Sequence, residues 1–127
     1  MDLDQFKPIN DLHGHETGDC LLQAVARRLS DTVRQSDTVS RIGGDEFIIC
    51  LEQINGEQDA IAATRKIVES LKSPFQILGR QLAVSASIGI AIYPDHGDDT
   101  ETLLRLADQA MYRAKEAGNS PTLYRGD

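Results

Sequence analysis

Two acidic clusters in the sequence could support metal chemistry. The first, Asp2-Leu3-Asp4, places two carboxylates on one face if these residues end a strand. Paired carboxylates suit a magnesium ion, because hard divalent cations prefer oxygen ligands. On these residues alone, a solvated acidic terminus explains the pattern at least as well.

The second cluster, Gly43-Gly44-Asp45-Glu46, lies between two apolar segments. Two glycines permit a tight turn and the close approach of a ligand to the backbone, and the next two residues place carboxylates beside that approach. A hairpin with an ordinary polar tip is the alternative. A hairpin packed beside the first strand could bring Asp45 or Glu46 to the same metal ions as Asp2, as two-metal transfer chemistry requires.

Apolar residues at helical spacing predict three helices that would support these clusters. The segments run from Leu21 to Val33, from about Glu57 to Lys72 and from about Thr100 to Ala117. A loop is expected before the first of them at Gly14 and Gly18, and the third is expected to end at Gly118. Six residues are expected to form the buried stripe of the third helix: Leu103, Leu104, Ala107, Ala110, Met111 and Ala114.

Alternating residues predict the strands. Residues 38–42 and 47–51 would form a hairpin around the glycine pair, and residues 75–78, a long strand 81–93 and a short strand 123–124 would follow. Hairpins mixed with helices predict an α+β, two-layer fold with a mainly antiparallel sheet flanked by helices. We expect a ferredoxin-like or polymerase-palm-like sheet whose first strand is mostly missing, because only residues 1–4 of it remain.

Composition narrows the functional classes. A chain of 127 residues fits one compact domain, and its net charge of -7 does not suit binding to a nucleic-acid backbone. No apolar run approaches the roughly 20 residues of a membrane helix, and no signal peptide opens the chain. Cys20 and Cys50 lack metal-ligand spacing, so we expect reduced thiols in or near the core of a cytoplasmic protein.

Several spaced motifs together resemble the GGDEF domain, which is the diguanylate cyclase family. They follow the family's order across nearly the whole chain, so agreement by chance is a poor explanation. The matching segments are Asp2-Leu3-Asp4-Gln5-Phe6-Lys7, Ile9-Asn10-Asp11, Gly14-His15, Gly18-Asp19, Arg41-Ile42-Gly43-Gly44-Asp45-Glu46-Phe47, Ser87-Ile88-Gly89-Ile90-Ala91 and the run from Ala107 to Lys115.

The resemblance implies a reaction, a metal and partners. Two GTP molecules would condense into cyclic di-GMP as the 3'-hydroxyl of one attacks the α-phosphate of the other and pyrophosphate leaves. Magnesium, or manganese in its place, would be the cofactor. Each chain would carry half of an active site, which implies a catalytic homodimer. Sensor or output domains are expected beside it in the full-length protein, and neither nucleic acid nor a membrane is expected to contact this domain.

The resemblance also implies roles for the acidic residues. Asp2 and Asp45 would hold the metal with help from the backbone carbonyl of Leu3. Glu46 would be a further metal ligand or would help to activate the attacking hydroxyl. Gly43 and Gly44 would form the turn that holds these acids in place.

Further matching positions would bind the substrate. Asn10 and Asp19 would read the guanine edge, because a carboxylate accepts hydrogen bonds from donors that adenine does not present in that pattern. Lys7 and Lys115 would face the phosphates, with backbone N–H groups near Phe6 assisting. For Lys115, a solvated lysine favoured by the helix dipole is the alternative.

Arg34 and Asp37 match the family's RxxD inhibitory site, and five residues separate them from Gly43. The planar guanidinium of Arg34 can contact phosphate or guanine, and Asp37 can accept hydrogen bonds from guanine. Two such residues three apart could instead form a surface ion pair of little energetic value. The resemblance therefore implies inhibition by the product, cyclic di-GMP.

Two features depart from the family pattern. Active members often carry Lys-x-x-Gly-Arg-Asn after the last helix, but here Asn119 stands at the position of that arginine. The helix and strand that normally precede Asp2 are absent, so residues 1–127 are expected to be a single domain truncated at its N-terminus. These departures leave an alternative function, a weak or inactive module that binds GTP or cyclic di-GMP and regulates an attached domain.

Overall fold

The computed structural model describes residues 1–4, 6–118 and 122–124. In chain order its elements are β1 (Asp2–Asp4), α1 (Phe6–His13), α2 (His15–Thr32), β2 (Thr38–Gly43), β3 (Glu46–Cys50), α3 (Glu57–Leu71), β4 (Phe75–Ile77), β5 (Arg80–Leu82), β6 (Ser85–Ser87), β7 (Gly89–Ile90), α4 (Thr100–Ala117) and β8 (Thr122–Leu123).

The main sheet has the strand order β2-β3-β1-β6, and every pairing in it is antiparallel. The first strand, β1, is therefore central even though it is only three residues long. Asp2 lies opposite Glu46 on one side and opposite Ser87 on the other. Two smaller pairs accompany this sheet: β4 with β5 is antiparallel, and β7 with β8 is parallel. The predicted α+β fold with a mainly antiparallel sheet is confirmed.

The core lies between this sheet and helices α2 and α3. Leu21, Val25 and Leu29 follow one another at one-turn intervals on α2, and all three are fully buried. Burying a side chain of this kind contributes about 1.5–3 kcal/mol. Leu3 of β1 is also buried in this cluster. Because successive residues of a strand point to opposite faces, Asp2 and Asp4 project away from the core.

The later helices agree closely with their predictions. Helix α3 begins at Glu57 and α4 spans Thr100–Ala117. Asp99 caps α4 by accepting a hydrogen bond from the Thr102 amide at 3.2 Å. Gly118 ends α4 in the left-handed conformation, with φ of 69°.

The prediction for the region before the hairpin was wrong in two respects. Helix α1 was not predicted, and Gly18 lies inside α2 instead of in a loop. A Cβ atom at position 18 would lie only 2.2 Å from Oδ1 of Asn10 on α1. Glycine is therefore needed here because the two helices approach closely, and not because the chain turns. Gly14, with φ of 94°, does separate the two helices as expected.

The predicted long strand 81–93 is instead three short strands with three partners. β5 pairs with β4, β6 pairs with β1, and β7 pairs with β8. Gly89 explains the position of the last of these, because a Cβ atom there would lie 2.0 Å from the Ala107 carbonyl oxygen of α4. β7 therefore packs directly against the helix backbone, outside the main sheet.

Two predictions about burial also need correction. On α4, Leu104 is 40% exposed while Leu106 is buried, because the helix turns its alanine-rich face, with Ala110 and Ala114, towards β7. Cys20 is half-buried but Cys50 is exposed at the end of β3, and both are free thiols.

None of the helices in the described part of the chain combines the length and the hydrophobicity of a membrane-spanning segment.

Candidate active site

A cavity of about 740 Å³ opens where β1 passes into α1. The glycine hairpin, β6 and the end of α4 complete its walls. Five of the predicted site residues line it: Leu3, Phe6, Lys7, Asp45 and Lys115. The fold thus brings residues from the beginning, middle and end of the chain to one place.

The hairpin between β2 and β3 is fastened to β1 by backbone hydrogen bonds. The Leu3 amide donates to the Asp45 carbonyl at 3.1 Å, and the Phe47 amide donates to the Met1 carbonyl at 2.8 Å. At the turn Gly44 is left-handed, with φ of 48°, and its carbonyl accepts from the Arg41 guanidinium at 2.9 Å. Asp45 and Glu46 are therefore held beside β1, as the sequence predicts.

Asp2, which is not itself in the cavity lining, forms an ion pair with Lys115, which is. The Lys115 ammonium nitrogen lies 2.8 Å from Asp2 Oδ2. This hydrogen bond raises the pKa of Lys115; partial burial opposes the increase, and the charges of Asp2, Asp4 and Asp45 add to it. Lys115 therefore stays protonated in the field of three carboxylates.

The carboxylate of Asp2 gives the clearest indication of a cation site. Its second oxygen, Oδ1, is buried and has no hydrogen-bond partner in the described part of the chain. An unpaired buried carboxylate oxygen is costly unless a positive charge or a donor satisfies it. No group of three or more histidine, cysteine or acidic side chains converges on a metal position within residues 1–4, 6–118 and 122–124. The donors that do adjoin the cavity are carboxylates, which fit magnesium or manganese.

Asp4 has a different environment from Asp2, although both project from the same face of β1. Its two oxygens accept hydrogen bonds from Ser87 Oγ at 2.7 Å and from Ser85 Oγ at 2.9 Å. The sequence analysis missed both serines. Two hydroxyl residues at alternate positions of a strand were the available signal for a shared partner. The identity of that partner, Asp4, depends on the register between β1 and β6.

The two candidate guanine-binding residues lie beside the cavity and not in its lining. Asn10 is on α1 and Asp19 is exposed on α2. The Asn10 amide nitrogen is 2.9 Å from His15 Nδ1, so His15 fixes the side chain in place. Phe6 connects the two regions, because it lines the cavity and also lies beside Gly18.

Arg34 and Asp37 bind each other just after α2, and neither residue lines the cavity. Arg34 Nε is 3.2 Å from Asp37 Oδ2, and the side chains are 56% and 2% exposed, respectively. The Glu52 amide donates to Asp37 Oδ1 at 2.9 Å. Burial alone would raise the pKa of Asp37, but the hydrogen bonds from Glu52 and Arg34 outweigh it and hold that pKa below its usual value. Asp37 thus ties the loop after α2 to the end of β3, while Arg34 remains accessible.

Residues 1–121 match the sequence profile described as diguanylate cyclase, GGDEF domain. Among curated proteins of Pseudomonas aeruginosa, the chain is 45% identical over 120 residues to the bifunctional diguanylate cyclase/cyclic di-GMP phosphodiesterase MucR, and 38% identical over 120 residues to the cyclic di-GMP phosphodiesterase NbdA. These alignments cover 94% of this chain in both cases, but only 17% of MucR and 15% of NbdA.

A solved structure shows the same fold. The crystal structure of the GGDEF domain of YfiN, also called TpbB, from Pseudomonas aeruginosa superposes with a TM-score of 0.94 at 39% identity. The superposition covers 99% of this chain and 80% of that one. The structural similarity therefore extends over nearly all of this chain, whereas the curated relatives MucR and NbdA are several times longer.

Proposed function

The chain belongs to the GGDEF family of diguanylate cyclase domains, and on that premise we propose that it condenses two GTP molecules into cyclic di-GMP. The observation that carries the proposal is the cavity in which Asp45 of the glycine hairpin adjoins Lys7 and Lys115. Carboxylates and lysines on one cavity wall suit a ligand whose phosphates arrive with a divalent cation. In each transfer, the 3'-oxygen bonds to the α-phosphorus of the other GTP and pyrophosphate leaves.

Asp2, Asp45 and the Leu3 carbonyl would hold magnesium, or manganese in its place. The metal, when bound, would neutralise phosphate charge and align the attack. Glu46 would add a ligand or take the proton of the attacking hydroxyl. The unpaired buried oxygen of Asp2 supports this assignment, because a cation would satisfy it.

The remaining residues would bind the nucleotide itself. Lys7, Lys115 and the backbone beside Phe6 would contact the phosphates. Asn10 and Asp19 would recognise the guanine base at the junction of α1 and α2, next to the cavity. Adenine would be rejected because it would leave these polar groups without hydrogen-bond partners, and each unpaired group would cost about 1–3 kcal/mol of binding free energy.

One chain would supply one GTP site, so the reaction would need two copies that face each other. We therefore propose a catalytic homodimer that forms at least transiently. The relatives' greater length supports attached sensor or output domains. The proposed compartment is the cytoplasm, and we propose contact with neither nucleic acid nor membrane by this domain.

We also propose that the product inhibits the enzyme at Arg34 and Asp37. The exposed guanidinium of Arg34 would contact cyclic di-GMP. Asp37 is already bonded to the Glu52 amide and to Arg34, so its contribution would be to position Arg34 as well as to accept from guanine.

A regulatory module without turnover is the second candidate. Asn119 replaces an arginine that active members often carry, which would remove one phosphate contact; this position lies outside the described residues. The chain is also similar to a protein named as a phosphodiesterase, NbdA. Such a module would bind GTP or cyclic di-GMP and would regulate the domain attached to it.

Labelled GTP and magnesium, added to the purified protein, distinguish the two candidates. We expect labelled cyclic di-GMP from the wild type, and loss of product in Asp45→Asn, which removes a charge from the cavity. Asp31→Asn is the matched control, because Asp31 is exposed on α2 away from the cavity. Absence of product with both magnesium and manganese, together with retained GTP binding, would favour the regulatory module.

A further inference from the structure

Lys115 of the cavity lining is bonded to Asp2, a residue 113 positions away in the sequence. Their bond, 2.8 Å long, joins the last turn of α4 to the start of β1. The Lys115 side chain is 36% exposed and that of Asp2 is 13% exposed. The pair is therefore partly shielded from solvent, and its charges interact more strongly than they would in bulk water.

Only one oxygen of Asp2 is used by this ion pair. The other oxygen is buried without a partner among the described residues. A divalent cation that satisfied it would lie close to the Lys115 ammonium, and two positive charges at one carboxylate repel each other. The ammonium and the divalent cation would therefore compete for Asp2.

We propose that Lys115 is an internal counter-ion, which occupies Asp2 until a divalent cation displaces it and then turns to the phosphates of the nucleotide. This inference rests on the proposed function, because it takes Asp2 as a metal ligand. Lys115 lines the same cavity as Lys7 and Asp45, so its ammonium can change partners without leaving the site. The four-carbon stem of lysine is flexible enough for such an exchange.

This exchange of partners by Lys115 couples the binding of the divalent cation to the binding of the nucleotide. Without a metal, the lysine needed by the phosphates is held by Asp2; with a metal, that lysine is released. Metal binding and nucleotide binding would thus assist each other through one side chain. When no nucleotide is present, a lysine that served only the phosphates would act on metal binding through its charge alone and would compete for no metal ligand.

Manganese titration without nucleotide, followed by electron paramagnetic resonance, tests the proposal. We expect Lys115→Gln to bind Mn²⁺ about fivefold more tightly than the wild type, the upper range for a partly exposed charge pair, and to bind GTP more weakly. Lys7→Gln is the matched control: Lys7 lines the same cavity but, within the described chain, has no bond to Asp2. It should weaken GTP binding and strengthen Mn²⁺ binding by less than Lys115→Gln does, because only its charge and no bond to Asp2 is lost.

Unchanged or weaker Mn²⁺ binding by a folded Lys115→Gln variant would overturn the counter-ion role. An Asp2→Asn variant separates this failure from a wider one. If Asp2→Asn abolishes Mn²⁺ binding while Lys115→Gln changes nothing, the counter-ion role alone is wrong. If Asp2→Asn also binds Mn²⁺ as the wild type does, both the metal site of the proposed function and the counter-ion role are wrong.

A measurement on the wild type makes the test independent of variant folding. The NMR signal of the Lys115 side-chain ammonium should shift when magnesium is added, because its carboxylate partner is lost. Lys72 provides the internal control, since it forms a 3.0 Å ion pair with Glu69 at the end of α3. Equal responses from the two lysines, or no response from Lys115 at saturating magnesium, would refute displacement.

Discussion

Gly18 permits the close approach of α1 to α2, and Gly18→Ala should therefore disturb guanine recognition. The added Cβ would lie 2.2 Å from Asn10 Oδ1 and 3.2 Å from the tip of the Phe6 ring. Non-bonded heavy atoms in good contact are about 3.5–4.0 Å apart, so the Asn10 amide must move by roughly 1 Å or more. That movement breaks its present position against His15.

The expected effects on stability and on activity differ in size. Alanine inside a helix is more favourable than glycine by roughly 0.5–1 kcal/mol, and this gain offsets the displacement of a side chain that can swing outwards. We expect the melting temperature to change by no more than about 4 °C. Loss of the proposed Asn10 contact to guanine would cost about 1–3 kcal/mol, so the KM for GTP should rise roughly five- to 150-fold.

Steady-state kinetics on three variants test this reasoning. If Gly18→Ala acts through Asn10, then the double variant Gly18→Ala/Asn10→Ala should be no worse than Asn10→Ala alone, as a double-mutant cycle shows for coupled positions. An unchanged KM in Gly18→Ala would refute the argument, and so would fully additive losses. A collapse of the melting temperature would show instead that the contact serves the fold.

Two further outcomes are expected. Gly89→Ala should destabilise the protein by about 3 kcal/mol or more, because its Cβ would lie 2.0 Å from the backbone of α4 and neither β7 nor α4 can shift without loss of packing. Gly97→Ala is the control, because its Cβ would meet only the side chains of Thr102 and Leu103. Equal melting temperatures for the two variants would contradict this prediction. Arg34→Ala should relieve inhibition by cyclic di-GMP without lowering the initial rate, and an inhibition curve identical to that of the wild type would remove the inhibitory role.

Strong local patterns made the hairpin and the last two helices predictable. A glycine pair between two apolar runs fixes β2 and β3 as partners, and α4 carries both a capping Asp99 and a terminating Gly118. Helix α1 offers no such pattern. Its apolar residues Phe6 and Ile9 do pack against the core at helical spacing, but its eight residues are fewer than the roughly 11 over which a helical period is read.

Tertiary contacts account for the remaining errors. Gly18 looks like a helix breaker in the sequence, but its position follows from the proximity of Asn10. The alternation over 81–93 continues through three short strands, because each strand alternates whichever partner it pairs with. Ser85 and Ser87 became part of the site only through the register of β6 on β1. Such information depends on which strands meet, and local periodicity does not contain it.

The two aspartates of β1 are nearly equivalent in the sequence, yet their neighbours suit them to different tasks. Asp4 is held by two neutral hydroxyl donors on the adjacent strand, so that each of its oxygens already accepts a hydrogen bond. Asp2 is held by one charged group on a flexible stem, and its buried second oxygen has no partner among the described residues. A mobile ammonium can be exchanged for another cation, whereas strand pairing keeps the two serines within reach of Asp4. The central strand can therefore use one carboxylate to fix its register and the other to bind a ligand, which is why a strand of three residues can support a site.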